Sequence, residues 1–216
     1  FVNIIHADMW CSPNQDLELL KLYENIDKNT KLITSSFRIQ PKIFKQDPDY
    51  RPGTVFHPVD VFGEFFHNFN HNYFDEWAVE FMKQNNIIVR KGGGAGFFCK
   101  VEDYKWIGGN DPIFAPASWE DMDLFTRMQL ENYEFKMTSK SVLWHFGARG
   151  SHFRDEAKDN FEKTSIRQQQ SEIKNVEKWI KKWGRLPEHD NDTFVIPIKN
   201  TNVVNRLKWE SFDETN

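Results

Sequence analysis

Cysteine is scarce. The chain of 216 residues holds two, Cys11 and Cys99, too few for a disulfide framework or an all-cysteine zinc site. No apolar run reaches the about 18 residues of a membrane-spanning helix, and no basic-then-apolar leader opens the sequence. Excess charge of one sign is missing too. Lys and Arg number 28 against 32 Asp and Glu, a net charge of -4. Such a balance gives no electrostatic reason to bind nucleic acid or an anionic membrane. No segment repeats and none is of low complexity. The glycine run 92–96 lacks the Lys-Ser/Thr ending of a phosphate loop. It also leads into Phe97-Phe98-Cys99 rather than a helix, which argues against a dinucleotide fingerprint. It reads instead as a turn that brings backbone close to a ligand.

Aromatic residues are plentiful, with 20 Phe and 8 Trp, and 39% of the chain is hydrophobic. That supports a real core and excludes a fully disordered chain. The composition is that of a reduced, soluble, cytoplasmic-like globular domain.

Phe1 to Ile5 reads as a strand buried on both faces. Ser12 as N-cap, Pro13 at the first helical position and Gln15 closing a capping box predict a helix, with Leu19, Leu20, Tyr23 and Ile26 as its apolar stripe. Residues 31–39 read as the next strand, so strand, helix and strand predict a parallel βαβ unit. Residues 64–84 suggest a helix or broken pair, 87–89 and 97–99 short strands, and 101–107 a helical turn ended by Gly108-Gly109. A helix over 118–130, a strand over 141–146 and a long helix over 155–183 follow. Ile173, Val176, Ile180 and Trp183 mark the last helix's apolar face and Gly184 its C-cap. Thr193 to Ile198 is a further strand candidate.

Three constellations can carry chemistry. His6-Ala7-Asp8 ends the first strand, where ligands of open parallel sheets bind, and offers nitrogen and oxygen donors to a divalent metal. Ser118-Trp119-Glu120-Asp121-Met122-Asp123 is a capping box by its spacing, yet it also places carboxylates that can serve as a general base. Trp144-His145-Phe146 ends a strand whose alternation puts Val142, Trp144 and Phe146 on one face and Leu143 and His145 on the other. Arg149, Ser151 and His152 behind it suit a phosphate. His57, His67 and His71 form a second histidine group without the Glu of a His-Glu-x-x-His motif.

The order of these pieces, with Lys105-Trp106-Ile107-Gly108-Gly109-Asn110-Asp111-Pro112 between them and Arg127 after the acidic group, resembles the inverting GT-A glycosyltransferases that use nucleotide-sugar donors. The resemblance covers roughly residues 1–185. It implies an α/β, Rossmann-like mixed sheet flanked by helices, with 1–154 as the C-terminal portion of that domain and 155–216 as a helical extension. It implies a hexosyltransferase-like activity that moves a sugar to a hydroxyl of a glycan, a protein or another acceptor, with Mn²⁺ or Mg²⁺. Asp8 matches the end of the family's Asp-x-Asp motif, and His6 stands where the family usually has Asp. His145 matches a late histidine that completes the metal site. Asp121 matches the catalytic base, with Glu120 shaping the acceptor side. Gly108, Gly109 and Asn110 would line the sugar and acceptor cleft, Trp106 and Trp119 would serve as stacking platforms, and Arg149 and Ser151 would close over the diphosphate.

The strands that precede the Asp-x-Asp strand in this fold have no counterpart here, which suggests part of a longer chain or a larger assembly and a poor enzyme by itself. A non-catalytic module on a degenerate GT-A scaffold is the competing expectation, and a histidine-based metal hydrolase the third.

Overall fold

In the computed structural model, which describes residues 1–24, 26–41, 53–63, 65–90, 96–115, 118–147 and 173–186, seven strands form one mixed sheet flanked by helices. In chain order the elements are β1 (Val2–Ile4), β2 (Met9–Cys11), α1 (Gln15–Glu24), β3 (Leu32–Gln40), β4 (Thr54–Phe56), α2 (Val59–Phe62), α3 (His71–Gln84), β5 (Ile88–Arg90), β6 (Phe97–Cys99), α4 (Val101–Trp106), α5 (Glu120–Leu130) and β7 (Glu134–His145). A helix over 173–183, α6, follows. Short 3-10 turns lie at Phe66–Asn68 and Pro112–Phe114.

The parallel pair β3–β7 is the centre of the sheet. β6 runs antiparallel along the first half of β3, with β1 beyond it, and β4 runs parallel to the last residues of β3. On the far side of β7, β5 pairs with its first half and β2 with its last residues, both antiparallel. β3 is buried along almost its whole length, as a strand covered on both faces must be. Its polar side chains find partners inside the sheet. Thr34 donates to the Phe98 carbonyl, and Ser36 meets both Ser141 and Gln15.

A bulge decides what the end of β7 can do. Thr138 faces Ser36 but Val142 faces Phe37, so residues 139–141 loop out of register. An insert of odd length swaps the parity of the strand. Met137 before the bulge and Val142 and Trp144 after it therefore pack in one cluster with Phe37 and Ile39. His145 is turned to the opposite face, where its ring meets Gln40. On that face lies α1, whose Gln15 reaches Ser36 and whose Tyr23 hydroxyl bonds the carbonyls of Leu32 and Phe98. The other face carries α3, through Phe74 and Ala78, and α5, through Leu124, Phe125 and Met128. α6 packs on α5 from outside through Trp179 and Trp183, both fully buried beside Phe114.

Several expectations need correction. β1 is a half-buried edge strand, not a strand covered on both faces. β1 and β3, the strands of the expected βαβ unit, run in the same direction but are not neighbours, because the antiparallel β6 lies between them; the short strand β2, antiparallel to β7, comes before α1. α1 starts at Gln15, because the Ser12 hydroxyl donates to the Val142 carbonyl and the Gln15 side chain is taken by Asn3 and Ser36. β7 begins at Glu134 instead of Ser141. The buried face of α6 is Asn175, Trp179 and Trp183, while Ile173 and Ile180 are exposed. Gly184 does end α6, with a φ of 82° and its N–H on the Ile180 carbonyl. The proposed helix over 155–172 and strand over 193–198 lie outside the described residues.

Candidate functional site

The chain between β1 and β2 crosses the sheet at the end where β3 and β7 both finish. Met9 N–H donates to the His6 carbonyl, closing a turn that presents His6 and Asp8. The start of β2 then pairs Met9 with His145, and Phe146 N–H donates to the Asp8 carbonyl. Backbone hydrogen bonds thus bring two distant segments together. His6, Asp8 and His145 each offer a donor atom, all within 4.8 Å of one another.

The tautomer of His145 follows from its neighbour. Nδ1 lies 2.8 Å from the Gln40 side-chain oxygen, which can only accept, so Nδ1 carries the proton. Nε2 is left as a lone pair, 3.5 Å from the Asp8 carboxylate. Burial pushes the His145 imidazolium pKa down to about 4; Asp8 pulls it the other way, while the Arg38 and His6 charges add to the lowering. At neutral pH the ring is therefore neutral, and its contact with Asp8 is not an ion pair. A neutral imidazole, a carboxylate and a second histidine, with one ring oriented by a buried amide, fit the donor set of a divalent metal.

At the N-terminus of α5, the His6 charge is felt weakly at Glu120. Burial raises the Glu120 pKa, and its Oε2 is buried with no hydrogen-bond partner among the described residues. Asp121 Oδ1 accepts the Met122 N–H at 2.7 Å. The Ser118 capping box does not form. Ser118 and Trp119 instead adopt positive φ of 78° and 79°, and Trp119 takes the cap position without a side-chain bond. Two consecutive left-handed residues other than glycine are strained, and such strain persists only where its surroundings impose it. α6 imposes it here: the Asn175 amide donates to the carbonyls of Phe114 (2.8 Å) and Ser118 (2.9 Å), and Trp179 packs 5.5 Å from Trp119.

The other expected site residues lie apart from the corner. Arg127 is fully buried, ion-paired with Asp123, and donates to the carbonyls of Ile107 and Gly109. Gly108, Gly109 and Asn110 are thereby held along the flank of α5, roughly 10 Å of helix from Glu120. Trp106 lies under the Lys31 ammonium, 4.6 Å from its ring centre. Lys31 precedes β3, so Trp106 sits roughly 26 Å of strand away from Gln40 and His145. The structure places it at the opposite end of β3 from the His6, Asp8 and His145 group. Trp119 is half-buried against α6. Arg149, Ser151 and His152 lie outside the described residues, as do Gly92 to Ala95.

His57, His67 and His71 do not converge. His57 lies against Phe62 and Trp77, His67 stacks on Phe65, and His71 lies against Trp10; among the described residues the only metal-competent group is that of His6, Asp8 and His145.

Sequence reading missed Gln40, Asn175 and Lys182. Gln40 ends a buried strand, which is the only sequence signal it carries. Lys182 pairs with both Asp111 (2.6 Å) and Asp123 (2.7 Å) and is nearly buried, a contact with no local pattern.

No helix among the described residues is long and apolar enough to cross a membrane. No protein-family model, curated protein or solved structure matches the chain.

Proposed function

We propose that the chain is a metal-dependent glycosyltransferase of GT-A type, moving a sugar from a nucleotide-sugar donor to an acceptor hydroxyl. The observation that carries the reading is the convergence of His6, Asp8 and His145 where the parallel strands β3 and β7 end. Open sheets of this class bind ligands beyond the carboxyl ends of their parallel strands.

His6, Asp8 and His145 would hold Mn²⁺ or Mg²⁺. A divalent ion there would neutralise charge on the departing diphosphate. Gln40 keeps the His145 proton on Nδ1 and so leaves Nε2 free for that task. Asp121, fixed at the first turn of α5 by the Met122 N–H, would take the proton of the acceptor hydroxyl as general base. Glu120, whose burial favours its protonated form, would line the acceptor side. The strained turn at Ser118 and Trp119 immediately precedes both carboxylates, and α6 holds that turn.

Calorimetry with a panel of nucleotide sugars in Mn²⁺ tests the reading. Metal-dependent binding should be lost in Asp8→Ala and in His145→Ala. Asp121→Asn should abolish transfer and keep donor binding. A folded protein that binds no donor, or an Asp121→Asn variant with full activity, would make a non-catalytic scaffold the better account.

A further inference from the structure

We propose that the cleft at the amino ends of β3 and β7 is a binding site for a neutral saccharide, separate from the group of His6, Asp8 and His145. The inference stands whether or not the chain transfers sugar.

Two turns build the cleft. One joins α1 to β3 and supplies Asn29, Thr30 and Lys31; the other joins α5 to β7 and supplies Glu131, Asn132 and Glu134. Both are fixed by their own backbone. Thr30 N–H donates to the Asp27 carbonyl, and the Asn132 and Tyr133 N–H groups donate to the carbonyls of Gln129 and Met128 in the last turn of α5. Glu134 N–H donates to the Lys31 carbonyl at 2.8 Å, which ties one turn to the other. The cleft measures about 330 Å³, at the lower end of the roughly 300–1,000 Å³ of small-ligand sites. A cleft whose backbone is already ordered loses little freedom when a ligand enters.

Its charges cancel locally. Lys31 Nζ lies 3.5 Å from the Glu131 carboxylate and donates to the Glu131 carbonyl at 3.0 Å. Glu134 is answered by Lys136 at 3.2 Å. A charged ligand would have to break one of these pairs. The side chains of Asn29, Thr30 and Asn132, in contrast, make no hydrogen bond to the protein among the described residues. They present two amides and a hydroxyl, groups that both donate and accept. The hydroxyl edge of a sugar ring does the same.

An aromatic face adjoins these groups. The Lys31 ammonium lies 4.6 Å from the centre of the Trp106 ring and 5.3 Å from that of Tyr133, so the side chain that lines the cleft also carries Trp106 at its mouth. Trp106 is still 54% exposed. The C–H face of a sugar is apolar and its hydrogens are slightly positive, which suits the negative face of an indole. The cleft thus matches both halves of a saccharide, hydroxyl edge to amides and C–H face to tryptophan, and an inorganic ion has no second half to match. Lys31 precedes β3, so this site lies roughly 26 Å of strand from Gln40 and His145, and the two ends of the sheet bind independently.

The test is nuclear magnetic resonance of the whole isotope-labelled chain, with the neutral disaccharides cellobiose, lactose and chitobiose as probes. Glucosamine and glucuronate serve as cationic and anionic controls. At least one disaccharide should shift the Trp106 indole signal and the side-chain amide signals of Asn29 and Asn132, saturating in the millimolar range. Trp106→Ala should weaken that binding about tenfold, and Asn29→Ala about two- to tenfold. Trp106→Phe, which keeps an aromatic face, should retain most of the affinity, and Asp8→Ala should retain all of it. No shift from any disaccharide at tens of millimolar would overturn the inference. So would tighter binding of either charged sugar, or undiminished affinity in Trp106→Ala. Shifts that disappear in Asp8→Ala would overturn it too, because they would put the sugar at the corner where transfer is proposed. Failure of transfer with these shifts intact would sink the transferase reading alone.

Discussion

The corner of His6, Asp8 and His145 and the junction between α5 and α6 treat charged groups differently. At the junction, protein answers protein. Asp123 receives the Arg127 guanidinium, the Lys182 ammonium and the Trp183 indole N–H, and Asp111 receives Lys182 and the Ile113 N–H. Asn175 bridges two carbonyls. At the corner, Asp8 and His145 face each other as two acceptors, and Glu120 keeps an unbonded buried oxygen among the described residues. Buried polar groups in folded proteins are nearly always paired. The junction answers its charged groups with protein, although the Trp179 indole Nε1 there is buried without a partner among the described residues; the corner gathers its charged and ring groups without pairing them to one another. The junction holds the start of α5, and the corner gathers three groups that could hold a metal ion.

The largest break in this contrast should come from Arg127→Ala. Both members of its pair with Asp123 are fully buried, and removing one partner of such a pair costs about 3–5 kcal/mol. A urea unfolding midpoint should fall steeply, whereas Asp8→Asn, at a partly open site, should move it far less. If the two variants are equally destabilised, the distinction between scaffold and corner is wrong.

The corner has one stability cost of its own. The His145 pKa falls from an ordinary 6.5 to about 4 on folding, because burial disfavours the charged ring. Between those values the unfolded chain binds the extra proton, so stability is present above about pH 6.5 and lost as pH drops towards 4. The loss is on the order of 3 kcal/mol. Urea midpoints at pH 7 and pH 4.5 should differ more in the parent than in His145→Gln. An identical pH response in both would show that this ring is not buried neutral.

Asn175→Ala should cost about 1–3 kcal/mol, by leaving the Phe114 and Ser118 carbonyls without a donor. It also separates the two regions functionally. Transfer should drop because the turn before Glu120 relaxes, while Mn²⁺ affinity at the corner stays at the parent value. Loss of metal binding in this variant would mean that the corner and the junction are one unit.

Trp106→Ala should do least. It removes an exposed cation–π contact with Lys31 worth about 0.5–1 kcal/mol, at the far end of β3 from the corner. Metal and donor binding should be unchanged, and a weakened donor would place a sugar where the structure puts none of the other site residues.

Much of the architecture was legible along the chain. The strands at 32–40 and 97–99, the helices over 101–106 and 120–130 and the glycine ends carry local signals of alternation, periodicity and capping. The face of His145 was legible too, because Val142, Trp144 and Phe146 alternate with it. What misled was local chemistry with more than one use. Ser12 and Ser118 look like caps, but one hydroxyl is spent on the Val142 carbonyl and the other residue lies in a left-handed turn imposed by α6. Lys136 and Lys140 hide the first half of β7. Trp106 looks like a platform beside the other site residues, but it lies under Lys31 at the far end of β3.

By itself the amino-acid sequence determined the class of molecule: a low-cysteine α/β chain with enough aromatic mass for a core and donor residues at strand and helix ends. Only the tertiary structure decided which of those donors meet. His145 and Gln40 are 105 residues apart in the chain, and no local period can specify their contact. The register of β3 against β7 specifies it, and the bulge at residues 139–141 sets which side the ring takes. Nor does any pattern near Ser118 announce that its carbonyl is held by Asn175. Periodicity is a property of neighbours, whereas a site is a property of the register and packing that bring distant neighbours together.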